Sequence, residues 1–389
     1  MDTILTNARL MLDDEIVSGT ICLQGGVIQS VDPGRSSLPA AIDVGDNFVA
    51  PGLIEMHTDN LERHFVPRPS VVWPNGLAAA LAHDAQMAAA GVTTVFDALS
   101  AGYVYGSKDA RAAIFPRIVE AIEQGVDQSV FRIDHRLHLR CELSGADLIE
   151  TIEPQINKRL IGLVSLMDHT PGQRQWRDLA AMKTYIMGTS HKTEAEYEDH
   201  VRDRVSQGAM NVAKNLPQVL EMCAIRQIIL ATHDDTTVEQ VDDAVASGAV
   251  ISEFPTTIEA AAAAKARGMS TVAGAPNVVR GGSHSGNVAA EQLARAGTLD
   301  ILSSDYVPAS LLLAAFELPE RVPQIPLAAS IAMVTAAPAK AVGLGDRLGV
   351  VGPNGSGKTT LLGAILGTLR HSAGTVVIMD RPLGSWAPR

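Results

Sequence analysis

The sequence is poor in cysteine and has neither a long apolar run nor a secretory leader. Its three cysteines, Cys22, Cys141 and Cys223, lie far apart in a chain of 389 residues. This spacing excludes a disulfide framework or a zinc finger, and we expect buried, reduced thiols. No stretch reaches the roughly eighteen uninterrupted apolar residues of a membrane span. The first residues also lack a basic segment followed by an apolar core, so we expect a cytoplasmic protein without a membrane partner.

An excess of positive charge is also absent, because the formal net charge is −12 at pH 7. Nucleic-acid surfaces need clustered Lys and Arg, so we expect no nucleic-acid partner. An anionic substrate would need local positive charge. Hydrophobic residues make up 46% and charged residues 19% of the chain, as in ordinary globular proteins. The length suffices for one large catalytic domain and a small accessory domain.

Short runs of Val, Ile and Leu alternate with Ala-rich amphipathic stretches, as in a parallel sheet with crossover helices. The apolar runs cover residues 53–56, 93–96, 136–139, 160–164, 228–231, 250–253, 270–273 and 299–302. The helical stretches cover residues 77–91, 110–124, 194–207, 237–247 and 257–267. This α/β pattern predicts a (β/α)8 TIM-like barrel, which we place at residues 51–340.

Two segments differ from the barrel pattern. Residues 1–50 contain short alternating stretches and turn residues, which predict a small β-sandwich accessory domain formed mainly by the N-terminus. Between His169 and Ile228 lies a long polar insertion that contains Lys183. Long insertions in compact domains are often functional, so we expect this one to form a lid.

Polar residues follow the predicted strands repeatedly. His57 and Asp59 end the first run, Asp97 follows the second, and Glu142 the third. His169, His233 and Asp305 follow the fourth, fifth and last runs. In a (β/α)8 barrel the chemistry lies at the C-terminal ends of the strands. A single residue of this kind is usually a solvated loop residue, but the recurrence predicts a common site.

The first strand resembles the signature of the amidohydrolase superfamily. Residues 49–59 read Val-Ala-Pro-Gly-Leu-Ile-Glu-Met-His-Thr-Asp, whereas the superfamily has Pro-Gly-Leu-Ile-Asp followed by His-x-His. Here Asp59 stands in place of the second His. Residues two apart on a strand project to the same side, so His57 and Asp59 can reach one ion. Imidazole and carboxylate suit Zn, Mn or Fe.

The resemblance implies a metal-dependent hydrolase with a bridging residue, two later imidazoles and a final Asp. Glu142 is the candidate bridge, with His138 as a rival. The implied metal ligands are His57, Asp59, Glu142, His169, His233 and Asp305. Asp305 would also accept a proton from the attacking water. We expect one or two divalent ions, first of all Zn, with Mn or Fe as alternatives, because such metals make bound water acidic near neutral pH.

Three further segments, at residues 57–62, 169–173 and 274–287, resemble the α-D-ribose 1-methylphosphonate 5-triphosphate diphosphatase family of phosphonate catabolism. The resemblance extends to about Gly345. It implies that a small phosphorylated ribose is hydrolysed to the 5-phosphate and pyrophosphate. The alternative is another amidohydrolase, such as a deacetylase or cyclic amidase. Both a monomer and a homo-oligomer stay open.

A glycine-rich segment near the end of the seventh predicted strand has the composition of a phosphate-binding loop. Glycines let backbone N–H groups approach an anion, and Arg offers a planar donor fork. The predicted substrate-binding residues are Arg280, Gly281, Gly282, Ser283, His284 and Asn287, with Lys183 from the insertion. The alternative is a glycine-rich connecting loop without a ligand.

The segment at residues 346–389 is unlike the rest of the chain. Gly352, Gly357, Lys358 and Thr359 form a complete P-loop pattern, in which backbone amides and Lys bind phosphates and Thr reaches Mg²⁺. The segment resembles the start of an ATP-binding-cassette ATPase. The other parts of such a domain are not found after Thr359, so we expect a truncated fragment rather than an active ATPase. A nucleotide-binding module is the third functional hypothesis. We expect residues 374–379 to supply a strand to the accessory domain.

Overall fold

The structure is a computed structural model that describes most of the chain. The described residues are 3–24, 27–68, 71–102, 110–189, 193–283, 286–344, 348–350, 377–378 and 381–382. They form two compact units, one of Leu53–Gly345 and one of Met1–Gly52 with Asp346–Arg389. Among the helices of the described residues, none is long and apolar enough to cross a membrane.

The larger unit is built on eight parallel strands that pair in sequence order. They are β6 (Leu53–Thr58), β7 (Val92–Ala101), β8 (Asp134–Glu142), β9 (Ile161–Met167), β10 (Ile229–His233), β11 (Ile251–Glu253), β12 (Ser270–Gly274) and β13 (Ile301–Ser303). A parallel bridge between Thr58 and Asp305 joins the end of β6 to the segment after β13. The sheet is therefore a nearly closed barrel, and the predicted fold class is confirmed.

Helices follow the strands. They are α1 (Asn60–Phe65), α2 (Gly76–Ala89), α3 (Ala110–Asp127), α4 (Leu148–Ile152), α5 (Leu179–Thr189), α6 (Glu194–Arg226), α7 (Val238–Ala246), α8 (Ile258–Ala266), α9 (Ala275–Arg280), α10 (Ala290–Arg295), α11 (Ser310–Arg321), α12 (Leu327–Ala332) and α13 (Ala336–Ala341). A short 3₁₀ helix covers Arg174–Trp176. Thr237 begins α7 through a capping box with Gln240, which satisfies backbone N–H groups that the helix itself cannot pair.

The long insertion is mainly one helix of 33 residues, α6. Thr193 and Glu196 form the capping box at its start. Further along α6, the Asn215 amide donates to the carbonyls of Leu143 and Gly145 at 2.9 and 2.8 Å. The helix thereby holds the backbone that follows β8. A lid function for this segment stays a prediction.

Apolar side chains fill the barrel beneath the strand ends. Leu163, Ala231 and Ile251 belong to one buried cluster, and each lies two residues before a polar residue of its strand. Because side chains alternate across a strand, the next inward positions are Ser165, His233 and Glu253. The packed floor therefore positions polar groups at the C-terminal end of the barrel, where this fold carries its sites.

The smaller unit contains one mixed sheet. Its strands are β1 (Thr3–Met11), β2 (Ile16–Gln24), β3 (Val27–Pro33), β4 (Ile42–Asp43), β5 (Phe48–Pro51) and β14 (Leu348–Val350). The strands β1, β2 and β3 pair antiparallel, and Leu5, Leu10 and Ile21 lie in a small core.

The strand from the tail differs from the prediction. The strand that pairs antiparallel with β5 is β14, at Leu348–Val350. Residues 377–378, in the stretch predicted to join this sheet, instead form β15 (Val377–Ile378), which pairs with β16 (Arg381–Pro382). That expectation was wrong, because the edge of β5 is already paired with the apolar segment Leu348–Val350. The predicted P-loop residues Gly352, Gly357, Lys358 and Thr359 lie outside the described residues.

Candidate metal centre

A cavity of about 280 Å³ opens at the C-terminal ends of the barrel strands. Five of the six predicted metal ligands line it, namely His57, Asp59, His169, His233 and Asp305. The sixth, Glu142, is buried and is not among the described residues of the lining. The structure thus brings together residues that are up to 248 positions apart, as His57 and Asp305 are.

Two of these imidazoles share one buried carboxylate, Glu253 at the end of β11. The Nδ1 atoms of His57 and His233 lie 3.0 and 3.2 Å from its two oxygens. Ser165 donates to the same carboxylate at 2.5 Å. An ionised carboxylate only accepts hydrogen bonds, so both Nδ1 atoms carry the proton. Each Nε2 is then left as the atom that can bind a metal.

The electrostatics of this group are mutual. Burial alone would raise the pKa of Glu253, but the charge of His57 and the hydrogen bonds from His233 and His57 hold that pKa well below its usual range. Burial would likewise lower the pKa of His57, and the Glu253 charge outweighs burial and raises it. His138, the rival bridge, lies deeper. It contacts Ser165 at 2.5 Å and the carbonyl of Met56 at 3.0 Å, and burial lowers its pKa to about 3.

Glu142 contacts His169 in the same way that Glu253 contacts the other two imidazoles. One Glu142 oxygen lies 2.6 Å from His169 Nδ1, and the other accepts the His169 backbone N–H at 3.0 Å. Ser144 donates to this second oxygen as well. Despite its burial, the His169 charge lowers the pKa of Glu142 to about 2. This geometry favours orientation of His169 over the predicted bridging role for Glu142, because both of its oxygens are engaged.

Asp234 is the ligand candidate that the sequence analysis did not select. Its Oδ2 lies 3.5 Å from His169 Nε2 and 3.4 Å from His233 Nε2. That oxygen is buried and makes no hydrogen bond, and the same is true of Asp59 Oδ1. Buried carboxylate oxygens without hydrogen bonds are costly. Two such oxygens among three imidazoles, all lining one cavity, fit a divalent cation of the Zn, Mn or Fe type.

Three residues at the strand ends adopt left-handed backbone conformations. Asp234, Phe254 and Asp305 have φ values of 59, 52 and 54°, and all three line the cavity. Non-glycine residues rarely adopt this region, and such strain clusters at functional sites. Asp305 is held in place because its N–H donates to His57 O at 3.1 Å, while its carbonyl accepts from Asp59 N and Thr58 Oγ1.

The predicted phosphate-binding loop reaches the same cavity. Arg280, Gly282, Ser283 and Asn287 line it. Gly281 ends α9 in the left-handed conformation with φ 78°, which glycine adopts without strain. His284 lies outside the described residues.

Lys183 lies elsewhere. It is on α5, where it forms an ion pair with Glu194, and it lines a separate surface depression beside Tyr197. The described structure therefore does not bring this lysine to the cavity. The physical reason is the helical fold of the insertion, in which α5 and the start of α6 pack on each other through Met182, Ile186 and Tyr197.

Two further cations line the cavity that sequence reasoning missed, Arg63 on α1 and Arg140 on β8. A signal for Arg140 was present. His138, Arg140 and Glu142 alternate along one strand and so project to one side, and the two outer members were already candidates. Arg63 follows the first ligand pair by four positions and had no such signal.

A second polar cluster is fully buried outside this cavity, and we call it the Asp97 cluster. Asp97 on β7 lies 2.7 Å from His83 Nε2 and 2.7 Å from His135 Nδ1. The other nitrogen of His135 is 3.5 Å from Asp84, and that of His83 is 3.0 Å from the Asn60 amide. Asn60 directly follows Asp59. The polar residue predicted at the end of the second strand thus faces helix α2 rather than the cavity.

We expect Glu253→Gln to weaken zinc binding by about 10- to 100-fold. An amide presents one oxygen and one N–H₂ group, so one of His57 and His233 would face a donor and place its own proton on Nε2. Competition with a chromophoric chelator at pH 7 measures this affinity. Glu259→Gln, an exposed residue on α8, is the control. Unchanged zinc affinity in Glu253→Gln would contradict the orienting role.

Comparison with known proteins divides the chain into two parts. The chain is 44% identical over 350 residues to the α-D-ribose 1-methylphosphonate 5-triphosphate diphosphatase of Escherichia coli (strain K12), covering 90% of this chain and 92% of that protein. Residues 340–388 match the protein family described as ABC transporter. Over 45 residues the chain is 56% identical to a hemin import ATP-binding protein of Myxococcus xanthus, which is 12% of this chain and 17% of that protein.

The fold is shared with solved structures of lower sequence identity. The N-isopropylammelide isopropylaminohydrolase of Burkholderia multivorans superposes with a TM-score of 0.59 at 15% identity, over 98% of both chains. At this identity the likeness concerns the fold. It agrees with the barrel and the small sheet described above.

Proposed function

This chain belongs to the α-D-ribose 1-methylphosphonate 5-triphosphate diphosphatase family of the amidohydrolase superfamily, and from that premise we propose that it hydrolyses this ribose triphosphate. The products are the 5-phosphate and pyrophosphate, and the reaction serves phosphonate catabolism. One observation supports the reaction type most strongly. The candidate metal centre and the loop of Arg280, Ser283 and Asn287 open on the same cavity, so a phosphate group in that loop lies beside the metal ligands.

The residues that would hold the metal are revised from the sequence prediction. We assign His57, His169 and His233 through Nε2, together with the carboxylates of Asp59 and Asp234. Glu253 and Glu142 orient the imidazoles rather than bind the ion. The metal, when bound, supplies positive charge and lowers the pKa of bound water. Zn is our first choice, with Mn and Fe as alternatives, and we propose one or two ions.

Side chains and backbone groups of the protein would accept the proton and bind the phosphate groups. The Asp305 carboxylate accepts the proton of the attacking water, since its backbone is fixed at the rim of the cavity by hydrogen bonds to β6. Arg280 and the backbone of Gly282 face the cavity, where they hold phosphoryl oxygens and stabilise charge that develops on them. Ser283 and Asn287 add neutral polar groups at the same loop. An amide hydrolase with an uncharged substrate would not need this cationic loop.

We expect the purified, metal-loaded protein to release pyrophosphate from α-D-ribose 1-methylphosphonate 5-triphosphate. Treatment with a chelator should abolish pyrophosphate release, and added Zn²⁺ should restore it. The reason is that the proposed mechanism relies on the metal to lower the pKa of the attacking water. Pyrophosphate release and elemental analysis are measured together.

The double variant His57→Ala, Asp59→Ala should lose both metal and turnover. Its control is Asp13→Ala, Asp14→Ala, which removes two exposed carboxylates from the small unit. Two outcomes would reject the proposal. One is deacetylation or amide turnover without pyrophosphate release, which favours the other amidohydrolase reading. The other is full metal content in the His57 and Asp59 double variant.

A further inference from the structure

Arg140 is a cation beside the candidate metal centre, and it takes part in no ion pair with the residues that the structure describes. It lies on β8 between His138 and Glu142, with its side chain on the same side of the strand. His138 contacts Ser165 and Glu142 contacts His169 inside the barrel. Arg140 lies between these two residues on the strand and lines the cavity. Its Nε is buried and has no hydrogen-bond partner.

Two other arginines nearby also have a buried Nε without a hydrogen-bond partner, but each of them has an ion pair. Arg136, four residues earlier on β8, is 3.6 Å from Asp134, and Arg204 of α6 is 3.8 Å from Glu142 and donates to Ser144 at 2.6 Å. Among the ion pairs and hydrogen bonds of the described residues, none includes the guanidinium of Arg140. Arg140 therefore has no ion pair although several carboxylates lie at this end of the barrel.

A partly buried guanidinium that lacks a partner is unfavourable for the folded state. Such a group is retained where a ligand supplies the missing acceptor, and Arg is suited to oxyanions because its donors form a planar fork. The ligand is therefore an anion with oxygen acceptors. Its place is next to the proposed metal ligands, because Arg140 lines the same cavity as His57 and His169.

The barrel topology separates this cation from the predicted phosphate loop. The strands pair in sequence order, so β8 is third and β12 is seventh among the eight. In a barrel of eight strands, the third and the seventh are diametrically opposite. Arg140 is on β8, and Arg280 ends the helix that directly follows β12. Arg140 is also half-buried, whereas Arg280 is exposed.

We propose that Arg140 is a second, inner anion-binding residue of this cavity, which binds a phosphoryl oxygen beside the metal centre while the Arg280 loop binds another phosphate group across the mouth. The inference rests on the proposed function for the identity of the substrate. Two cationic positions on opposite sides of one cavity favour substrates with several phosphate groups. They disfavour amide substrates that carry only one anionic group.

The experiment uses inorganic pyrophosphate as the probe and the metal-loaded full chain. Calorimetric titration should give an affinity about tenfold or more weaker for Arg140→Gln than for the unmodified chain, since a charged hydrogen bond is lost. Arg140→Lys keeps the charge but lacks the fork, so its affinity should be intermediate. Arg136→Gln removes the same charge from the same strand outside the cavity and should bind as the unmodified chain does.

A second readout separates binding from a structural role. Because Arg140 lacks a protein partner, Arg140→Gln should keep its full metal content and raise Tm by about 2 °C. A structural arginine would lower Tm when replaced. The inference is overturned if Arg140→Gln binds pyrophosphate normally, or if it loses metal and stability together.

The two proposals fail separately. If the unmodified chain binds pyrophosphate through Arg140 but releases none from the ribose triphosphate, the proposed function is rejected and the anion site stands. If the ribose triphosphate is hydrolysed and Arg140→Gln changes neither pyrophosphate affinity nor turnover, the anion site is rejected and the function stands.

Discussion

Replacing Asp305 with Asn should lower kcat by about 10³-fold while leaving most of the bound metal in place. The amide has the shape of the carboxylate but cannot accept a proton from water. Its backbone should stay where it is, since its hydrogen bonds to His57, Thr58 and Asp59 involve only main-chain atoms of residue 305. Single-turnover release of pyrophosphate, with elemental analysis of the same sample, measures the effect.

Asp300→Asn is the matched control for Asp305→Asn. Asp300 lies just before β13 and accepts hydrogen bonds from Lys265 and Thr271, away from the cavity lining. Its variant should keep normal turnover. Normal turnover in Asp305→Asn would reject the proton-acceptor role, and loss of metal from Asp305→Asn would assign Asp305 to metal binding instead.

The second large effect concerns stability. Asp97→Asn should lower the free energy of unfolding by about 3–5 kcal/mol. Asp97 is fully buried between His83 and His135, and the Asp97 and Asp84 charges raise the pKa of His135 to about 9 against the opposing effect of burial. Removal of the Asp97 charge leaves a buried imidazolium with less compensation. Urea unfolding of the metal-loaded protein at pH 6 measures the change.

The pH dependence of stability follows from the direction in which folding shifts the pKa of His135 and of Asp97. The pKa of His135 rises from 6.5 to about 9 on folding, so its stabilisation is complete below pH 6.5 and is lost as the pH rises towards 9. The pKa of Asp97 is lowered from 3.8 because its two histidines outweigh burial, so its stabilisation is present above pH 3.8 and is lost in acid. The difference between Asp97→Asn and the unmodified chain should thus shrink from pH 6 to pH 9.

Asp134→Ala is the control for the Asp97 cluster. Asp134 is partly exposed and pairs with Arg136 at 3.6 Å, so its loss should change stability by no more than about 1 kcal/mol. A similar small change in Asp97→Asn would mean that the buried carboxylate is not ionised. A difference that grows with pH would contradict the charge on His135.

The barrel was predictable because its signal is local. Each strand is an apolar run followed by a polar residue, and the resemblance of residues 49–59 supplied the first candidate ligands. The role proposed for each carboxylate could not be predicted from its neighbours in the sequence. Glu142 and Glu253 both end strands, yet their functions depend on which imidazole nitrogen faces them, and His57 and Glu253 are 196 positions apart. Spacing carries no information about such pairs.

The cationic residues also differ in whether their positions could be predicted from the sequence around them. Arg280 was found because glycines beside an arginine have a meaning independent of the fold, whereas Arg140 stands in a strand where arginine is usually at the surface. Lys183 was assigned to the substrate by its place in a polar insertion, but the insertion folds into helices that pair it with Glu194. Helix packing decided that outcome, and no spacing rule anticipates it.

The bridge between Thr58 and Asp305 closes the barrel and also supports the carboxylate that we propose as the proton acceptor. Every other junction between neighbouring strands is a ladder, whereas this one consists of a bridge and a few hydrogen bonds around Asp305, together with the Ser304 N–H that donates to Glu55 at 2.6 Å. Any fluctuation that parts β6 from β13 therefore displaces Asp305 from His57 at once. The least extensively paired junction of the barrel is therefore also the place of the proposed proton acceptor, so local opening at this junction would change turnover without unfolding of the rest of the barrel.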